Sequence, residues 1–180
     1  MDIFTYLPSL SDLFKEVYAG IGDPKIFWIL AFVSCMLVLH GIYVLLVVIL
    51  FHKLVNWFTS NKHITSDFLN RFRLAAIISY FVAILLVIAG HIVDIVMWTY
   101  AIISLKIFIT NPDAFYFAGE MYVTLGLGSY QIEKSWRILP VIIAFSGIFA
   151  VSMSGAAIFN MLGSLLDKSK PEENGGQKSI

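Results

Sequence analysis

Residues 122–129 read Tyr-Val-Thr-Leu-Gly-Leu-Gly-Ser, a short run punctuated by glycines in an otherwise apolar chain. An aromatic segment, residues 115–122, precedes this run, and a long apolar stretch, residues 138–166, follows it. Backbone that is not helical is tolerated at membrane depth only where protein or a water-filled path surrounds it. The segment is therefore either an ordinary loop between helices or a structure built inside the membrane.

The composition is typical of an integral membrane protein. Of the 180 residues, 59% are hydrophobic and only 13% are charged, and a soluble domain could not bury so much apolar surface. The formal net charge is zero, so there is no basic face for nucleic acid. Cys35 is the single cysteine, which excludes an intramolecular disulfide and a Cys/His zinc framework.

Three apolar runs are long enough to cross a bilayer as helices, because a helix rises about 1.5 Å per residue through a core of about 30 Å. They cover residues 26–51, 74–103 and 138–166. We therefore predict an all-α integral membrane protein with three transmembrane helices. Residues 26–51 form an additional helix ahead of the pore domain predicted over residues 74–166.

The two ends of the chain differ from the apolar runs in composition. Residues 1–22 predict an interfacial amphipathic helix, or one that packs on the protein's own surface, with Ser9 as its cap. The apolar side chains at helical spacing are Leu10, Leu13, Phe14, Val17 and Tyr18. Residues 167–180 are polar and contain Pro171 and two glycines, which predicts a disordered cytoplasmic tail.

Between the second and third apolar runs, residues 111–129 are too short to cross the membrane but apolar enough to enter it. Asn111 as N-cap, Pro112 in the first turn and Asp113 at the positive end predict a helix start. We predict a re-entrant pore helix over residues 112–123. The predicted pore domain thus begins with an outer helix over residues 74–103. The pore helix follows, then an extended filter over residues 124–128 and an inner helix over residues 136–166.

The extended segment has the composition of a cation filter. Its residues are Thr124, Leu125, Gly126, Leu127 and Gly128. Glycine adopts backbone angles that other residues resist, so successive carbonyl oxygens can turn toward one axis and replace the hydration shell of an ion. One copy cannot enclose an ion, and this hypothesis requires a closed oligomer, most simply a homotetramer. The alternative is an ordinary loop.

The distribution of charge predicts the orientation. The predicted basic loop over residues 52–73 carries one acid, Asp67, and four bases: Lys53, Lys62, Arg71 and Arg73. Because positively charged loops stay in the cytoplasm, the N-terminus is expected outside and the C-terminus in the cytoplasm. The chain would be a multi-pass protein of the cell membrane (plasma or inner membrane) with its filter at the extracellular mouth and lipid around it.

From about residue 91 to residue 163, the chain resembles the bacterial potassium-channel-like members of the ion-channel pore superfamily. The residues that carry the resemblance are His91, Asp94, residues 98–100, residues 113–117, residues 124–128, Trp136 and Arg137. The resemblance implies a tetrameric pore that conducts K⁺ passively, with K⁺ at the filter as the only metal ion. It implies no cofactor, no small-molecule substrate and no enzymatic chemistry.

The segment departs from the usual Thr-Val-Gly-Tyr-Gly-Asp filter of that family and from the residue that precedes it. Leu127 replaces the tyrosine, Ser129 replaces the aspartate, and Val123 replaces the first residue of a threonine pair. Leucine at this position is similar to the second pore loop of some two-pore-domain potassium channels. Two alternatives therefore stay open: a weakly selective cation channel, and a non-conducting pore-like membrane protein that assembles with or regulates a partner.

Other residues are predicted to support or gate the filter. Glu120, Tyr122 and Ser129 flank it, and Glu120 is expected to bond nearby backbone, Tyr130 or Ser129, because a carboxylate at membrane depth needs a partner. His40, His91 and Asp94 predict a structural polar cluster, with proton sensing or a metal site as alternatives. Gly147 and Gly155 are either a gating hinge or helix-packing positions.

A third class of function, an intramembrane enzyme or transporter, has little support. The sequence contains no HExxH or GxSxG motif, which argues against the common hydrolase sites. It also lacks an inverted repeat of spans, which argues against a transporter. The stimulus that would open a pore is not predicted by any motif.

Overall fold

The computed structural model describes residues 9–12, 14–15, 24–60, 68–128 and 130–168. These residues form helices and connecting turns, and none of them is in a strand. From residue 24 onward the helices are α1 (Pro24–Ser60), α2 (Phe68–Ser104), α3 (Asn111–Tyr122) and α4 (Leu139–Lys168). A 3₁₀ turn, Lys134–Trp136, precedes α4.

Three of these helical regions are long and apolar enough to cross a membrane. They are Pro24–Ser60, Leu74–Ser104 and Lys134–Leu166, each containing an 18-residue window of mean hydropathy 2.7, 2.5 and 2.1, respectively. The prediction of helices alone, three of them long and apolar enough to span a membrane, is confirmed for the described residues. At 37 residues, α1 is about 55 Å long and exceeds the thickness of the hydrocarbon core.

The predicted loop over residues 52–73 is wrong in its bounds, because α1 continues to Ser60 and α2 already begins at Phe68. Phe51 and Val55 are both buried and lie one turn apart, so an apolar face continues past the end of the hydrophobic run. Packing of that face keeps the chain helical beyond residue 51, where the sequence becomes polar. Residues 61–67 lie outside the described residues.

The starts of α3 and α4 also differ from the prediction. Thr110, not Asn111, is the N-cap of α3: its side-chain oxygen accepts the backbone N–H of Asp113 at 3.3 Å, and its hydroxyl donates to the Asp113 carboxylate. The inner helix begins at Leu139 rather than at residue 136, because the chain first makes the 3₁₀ turn. Pro140 then sits in the first turn of α4, where proline loses no hydrogen bond.

The chain divides into two compact units. The first unit contains residues 1–40 and 93–150 and therefore the beginning of α1, the end of α2, all of α3 and the beginning of α4. Its core consists mainly of aromatic and branched side chains. The most buried of these are Trp98, Ile102, Phe117, Tyr122, Leu139 and Ile143.

The second unit contains residues 41–92 and 151–180. Within it, an aromatic side chain of α1 forms a hydrogen bond with the backbone of α2. The Tyr43 hydroxyl donates to the carbonyl oxygen of Leu86 at 2.6 Å. A Cβ at Gly90 would lie 2.5 Å from Tyr43 Cε1, so this close approach requires glycine. The surrounding core includes Val47, Phe51, Val87 and Met161.

The predicted terminal segments are described only in part. Ser9 accepts the backbone N–H of Asp12 through its backbone and side-chain oxygens at 3.1 and 3.2 Å, and Leu10 and Phe14 are exposed. Leu13, Val17, Tyr18 and most of the predicted amphipathic helix lie outside the described residues. Of the predicted tail, α4 includes residues 167–168, and residues 169–180 lie outside the described part.

Candidate ion filter and its support

In the segment that follows α3, the backbone φ angle alternates between positive and negative values. Thr124, Gly126 and Gly128 have φ angles of 60°, 53° and 70°, whereas the intervening Leu125 and Leu127 are not in the left-handed region. Positive φ angles lie in the region that glycine adopts readily and that other residues resist. The segment is therefore not a regular strand, whose residues have negative φ angles.

The first residues of this segment are tied to the end of α3. The backbone N–H groups of Thr124 and Leu125 donate to the carbonyl oxygens of Met121 and Glu120 at 3.0 and 2.8 Å. Thr124 is not a glycine, and a left-handed angle costs such a residue about 1–2 kcal/mol. A strained residue of this kind persists only where its surroundings hold it, and these two hydrogen bonds supply part of that support.

The rest of the segment makes little contact within one chain. Leu125 and Leu127 are 62% and 66% exposed. A Cβ added at Gly126 or Gly128 would meet nothing within 4 Å. The glycines are therefore needed for their positive φ angles and not for space.

A buried trio of polar side chains anchors the last residue of α3. The hydroxyl of Tyr122 donates to Oδ2 of Asp94 at 2.7 Å, and Nδ1 of His40 lies 2.7 Å from the same oxygen. The side chains of His40 and Asp94 are only 2% and 8% exposed. A buried carboxylate is tolerated because it has such partners, so this oxygen links α1, α2 and α3.

His40 and Asp94, which were predicted to belong to one polar cluster, are in direct contact within the first unit. His91 lies one turn before Asp94 on α2 and is half-buried. Tyr122 was predicted as a filter-flanking residue but not as the partner of Asp94. Spacing along the sequence could not reveal that contact, because the two residues are 28 positions apart on different helices.

The helix α4 contacts the end of α3 at Gly147. A Cβ at this position would lie 1.9 Å from the carbonyl oxygen of Tyr122, so the approach requires glycine. The neighbouring Ser146 accepts the indole N–H of Trp98 at 2.9 Å and donates to the carbonyl oxygen of Ile143 at 2.7 Å. Packing against α3 is therefore a structural reason for Gly147, whereas the second predicted hinge residue, Gly155, has open space around it.

Glu120 lies one turn before the filter and is half-buried. Its Oε2 atom is buried and has no hydrogen-bond partner among the described residues, so the predicted bond to Tyr130 is not seen for this oxygen. Ser129, the other predicted partner, lies outside the described residues. Partial burial and, after it, the nearby Glu120 carboxylate raise the pKa of Tyr130 above its usual value.

No protein family, curated protein or solved structure matches this chain. The similarity to ion-channel pores therefore rests on the residues quoted above, and a function has to be argued from geometry.

Proposed function

We propose that this chain is a potassium-channel-like protein that assembles as a homotetramer and conducts K⁺ passively across the cell membrane. The observation that carries this proposal is the alternation of positive φ angles at Thr124, Gly126 and Gly128. It occurs directly after a 12-residue helix that lies in sequence between two membrane-spanning helices. Backbone angles of this kind, which glycine makes accessible, would allow successive carbonyl oxygens to turn toward a common axis, as in a filter lined by backbone carbonyls.

The chemistry of the segment fits a weakly coordinated monovalent cation. Residues 123–128 carry no ionisable side chain, so the available ligands are neutral carbonyl oxygens and the hydroxyl of Thr124. Protein sites for Ca²⁺ and Mg²⁺ depend on carboxylates, and none is present in this segment. Neutral oxygens that replace a hydration shell are the ligands that a K⁺ filter uses.

The exposure of the segment in one chain supports an oligomer. Leu125 and Leu127 are more than half exposed, and the two glycines have no neighbours within 4 Å of an added Cβ. Such a surface, on strained backbone, leaves room for further copies around a common axis. Four copies related by closed symmetry would complete the carbonyl cage, with α3 as the re-entrant pore helix and α4 as the inner helix.

A weakly selective cation channel is the second candidate, and Leu127 is the observation that favours it. Its side chain is 66% exposed, and unlike tyrosine it has no hydroxyl with which to brace the filter. A looser filter would discriminate less between K⁺ and Na⁺. A non-conducting assembly partner would instead carry no current at all.

The experiment compares purified wild-type protein with Gly126→Ala in planar bilayers under symmetric K⁺. Gly41→Ala is the matched control, because its Cβ would make only an ordinary contact, 3.9 Å from Met153 Sδ. We expect tetramers in all three proteins and K⁺ current in the wild type and in Gly41→Ala, but not in Gly126→Ala. A monomeric wild type, or equal currents in both variants, would contradict the proposal.

A further inference from the structure

The first unit contains an apolar pocket that the proposed pore does not use. Its volume is about 250 Å³, larger than cavities of about 150 Å³ that bind benzene. The lining comes from the first turns of α1, the last turns of α2 and the first turn of α4. The main lining residues are Trp28, Ile29, Phe32, Trp98, Ala101 and Leu139.

The position of the pocket along the helices places it just inside one surface of the bilayer. The apolar run of α1 begins directly after Lys25, and that of α2 ends directly before Lys106. Trp28 begins about 4.5 Å and Phe32 about 10 Å below Lys25 along the helix axis. Trp28 and Tyr100, which are 79% and 72% exposed, lie where aromatic residues gather at a membrane interface.

Two lysines lie within three positions of lining residues in the sequence. Lys25 Nζ lies 5.5 Å from the centroid of the Trp136 ring, and Trp28 follows Lys25 by less than one turn. Lys106 is exposed and follows the lining residue Leu105. Bases next to an apolar slot complement a ligand that has an anionic head and an apolar tail.

We propose that this pocket binds one acyl chain of an anionic glycerophospholipid, with the lipid phosphate beside Lys25 and Lys106. An apolar pocket of this size does not hold water well. The bilayer supplies an acyl chain at the depth of the pocket and a phosphate at the depth of the lysines. The site depends on membrane insertion but not on ion conduction.

The bound chain would contact a residue that supports the filter from behind. Trp98 lines the pocket, and its indole N–H donates to Ser146, the neighbour of Gly147. Filling this space stabilises the packing of α2 on α4, because an empty apolar cavity forfeits contacts.

The test uses full-length protein in which Trp28, Trp57 and Trp136 are replaced by Phe, so that Trp98 is the only tryptophan and can be excited selectively over the tyrosines. The protein is reconstituted in vesicles of phosphatidylglycerol or phosphatidylcholine with brominated acyl chains, since bromine quenches indole only on contact. We expect loss of most of the Trp98 emission in brominated phosphatidylglycerol. Trp98 is 1% exposed, so annular lipid alone would leave its emission largely intact.

Variants separate the pocket from general contact with lipid. Ala101→Phe fills the pocket and is expected to restore Trp98 emission, and Ala101→Leu, which adds fewer atoms, to restore part of it. We expect each of two variants, Lys25→Gln and Lys106→Gln, to lower the preference for the anionic over the zwitterionic lipid about fivefold. The control is Lys53→Gln, at the other end of α1, which should leave this preference unchanged. The proposal would be overturned if Trp98 were not quenched in the parent protein, or if quenching survived in both Ala101 variants. Equal preference of the parent protein for the two lipids would also overturn it.

Discussion

The hydroxyl of Tyr122 and Oδ2 of Asp94 lie 2.7 Å apart, and this contact joins the end of α3 to α2. Tyr122 is the last residue of α3 and comes two positions before Thr124, where the alternation of φ begins. The backbone of Tyr122 also touches α4, through the approach of Gly147 to its carbonyl oxygen. Tyr122, at the start of the proposed filter, is therefore held by contacts with two other helices.

Tyr122→Phe removes the hydroxyl donor but keeps the ring. Because a hydrogen bond to a charged group contributes about 1.5–3 kcal/mol, we expect a lower free energy of unfolding and unstable K⁺ currents. Thermal unfolding in detergent and single-channel recording measure the two effects.

Tyr43→Phe is the matched control for that variant, since it loses a bond of 2.6 Å to Leu86 in the second unit. It should lose stability without any change in the single-channel record. If both variants leave the current unaffected, Tyr122 does not position the filter.

His40 and Asp94 should behave as one coupled unit. Removing either partner leaves the other polar group buried without it, at a cost of about 3–5 kcal/mol for a buried pair. We expect His40→Ala and Asp94→Ala each to destabilise the protein, and the double variant to be more stable than the sum of the two losses predicts. Additive losses in chemical denaturation would show that the contact of 2.7 Å carries no coupling.

Gly147→Ala distinguishes packing from hinge motion. The added Cβ would lie 1.9 Å from the Tyr122 carbonyl oxygen, and relieving such overlap typically costs about 1–3 kcal/mol. Gly155→Ala, which meets nothing within 4 Å, should keep or raise stability, since alanine favours helix. A Gly147→Ala protein that is as stable as the wild type and altered only in gating would favour the hinge.

Glu120→Gln removes a charge from a half-buried site whose Oε2 atom has no partner among the described residues. Because an unpaired buried carboxylate is costly, we expect the variant to be at least as stable as the wild type and to differ in the stability of its conducting state. Glu133→Gln, at an exposed position, is the control. Identical conductance, selectivity and inactivation in Glu120→Gln and wild type at every pH would remove Glu120 from the filter.

The spans and the short helix before the filter could be predicted from the sequence, because apolar length and cap residues are local signals. The end of α1 could not, since Val55 extends the helix through a tertiary contact that composition does not reveal. The cap of α3 was misplaced by one residue because Thr110 and Asn111 are both good caps. The choice between them depends on the geometry at Asp113.

The loop punctuated by glycines was visible in the sequence, but the contacts around it were not. His40 and Asp94 were predicted together because charged and polar groups inside a span need partners. The bond from Tyr122 and the close approach of Gly147 depend on how separate helices pack, and no spacing rule reports that. From the sequence alone, a glycine in the middle of a helix is equally consistent with a hinge and with a close helix contact.

The central claim is that residues 124–128 form a carbonyl-lined K⁺ filter, and a reversal potential tests it most directly. Purified wild-type protein is placed in a planar bilayer with K⁺ on one side and Na⁺ at equal concentration on the other. The account predicts a current whose reversal potential lies far from zero in the direction of K⁺ selectivity. A reversal potential near zero would contradict K⁺ selectivity, and no current from an intact tetramer would contradict conduction itself.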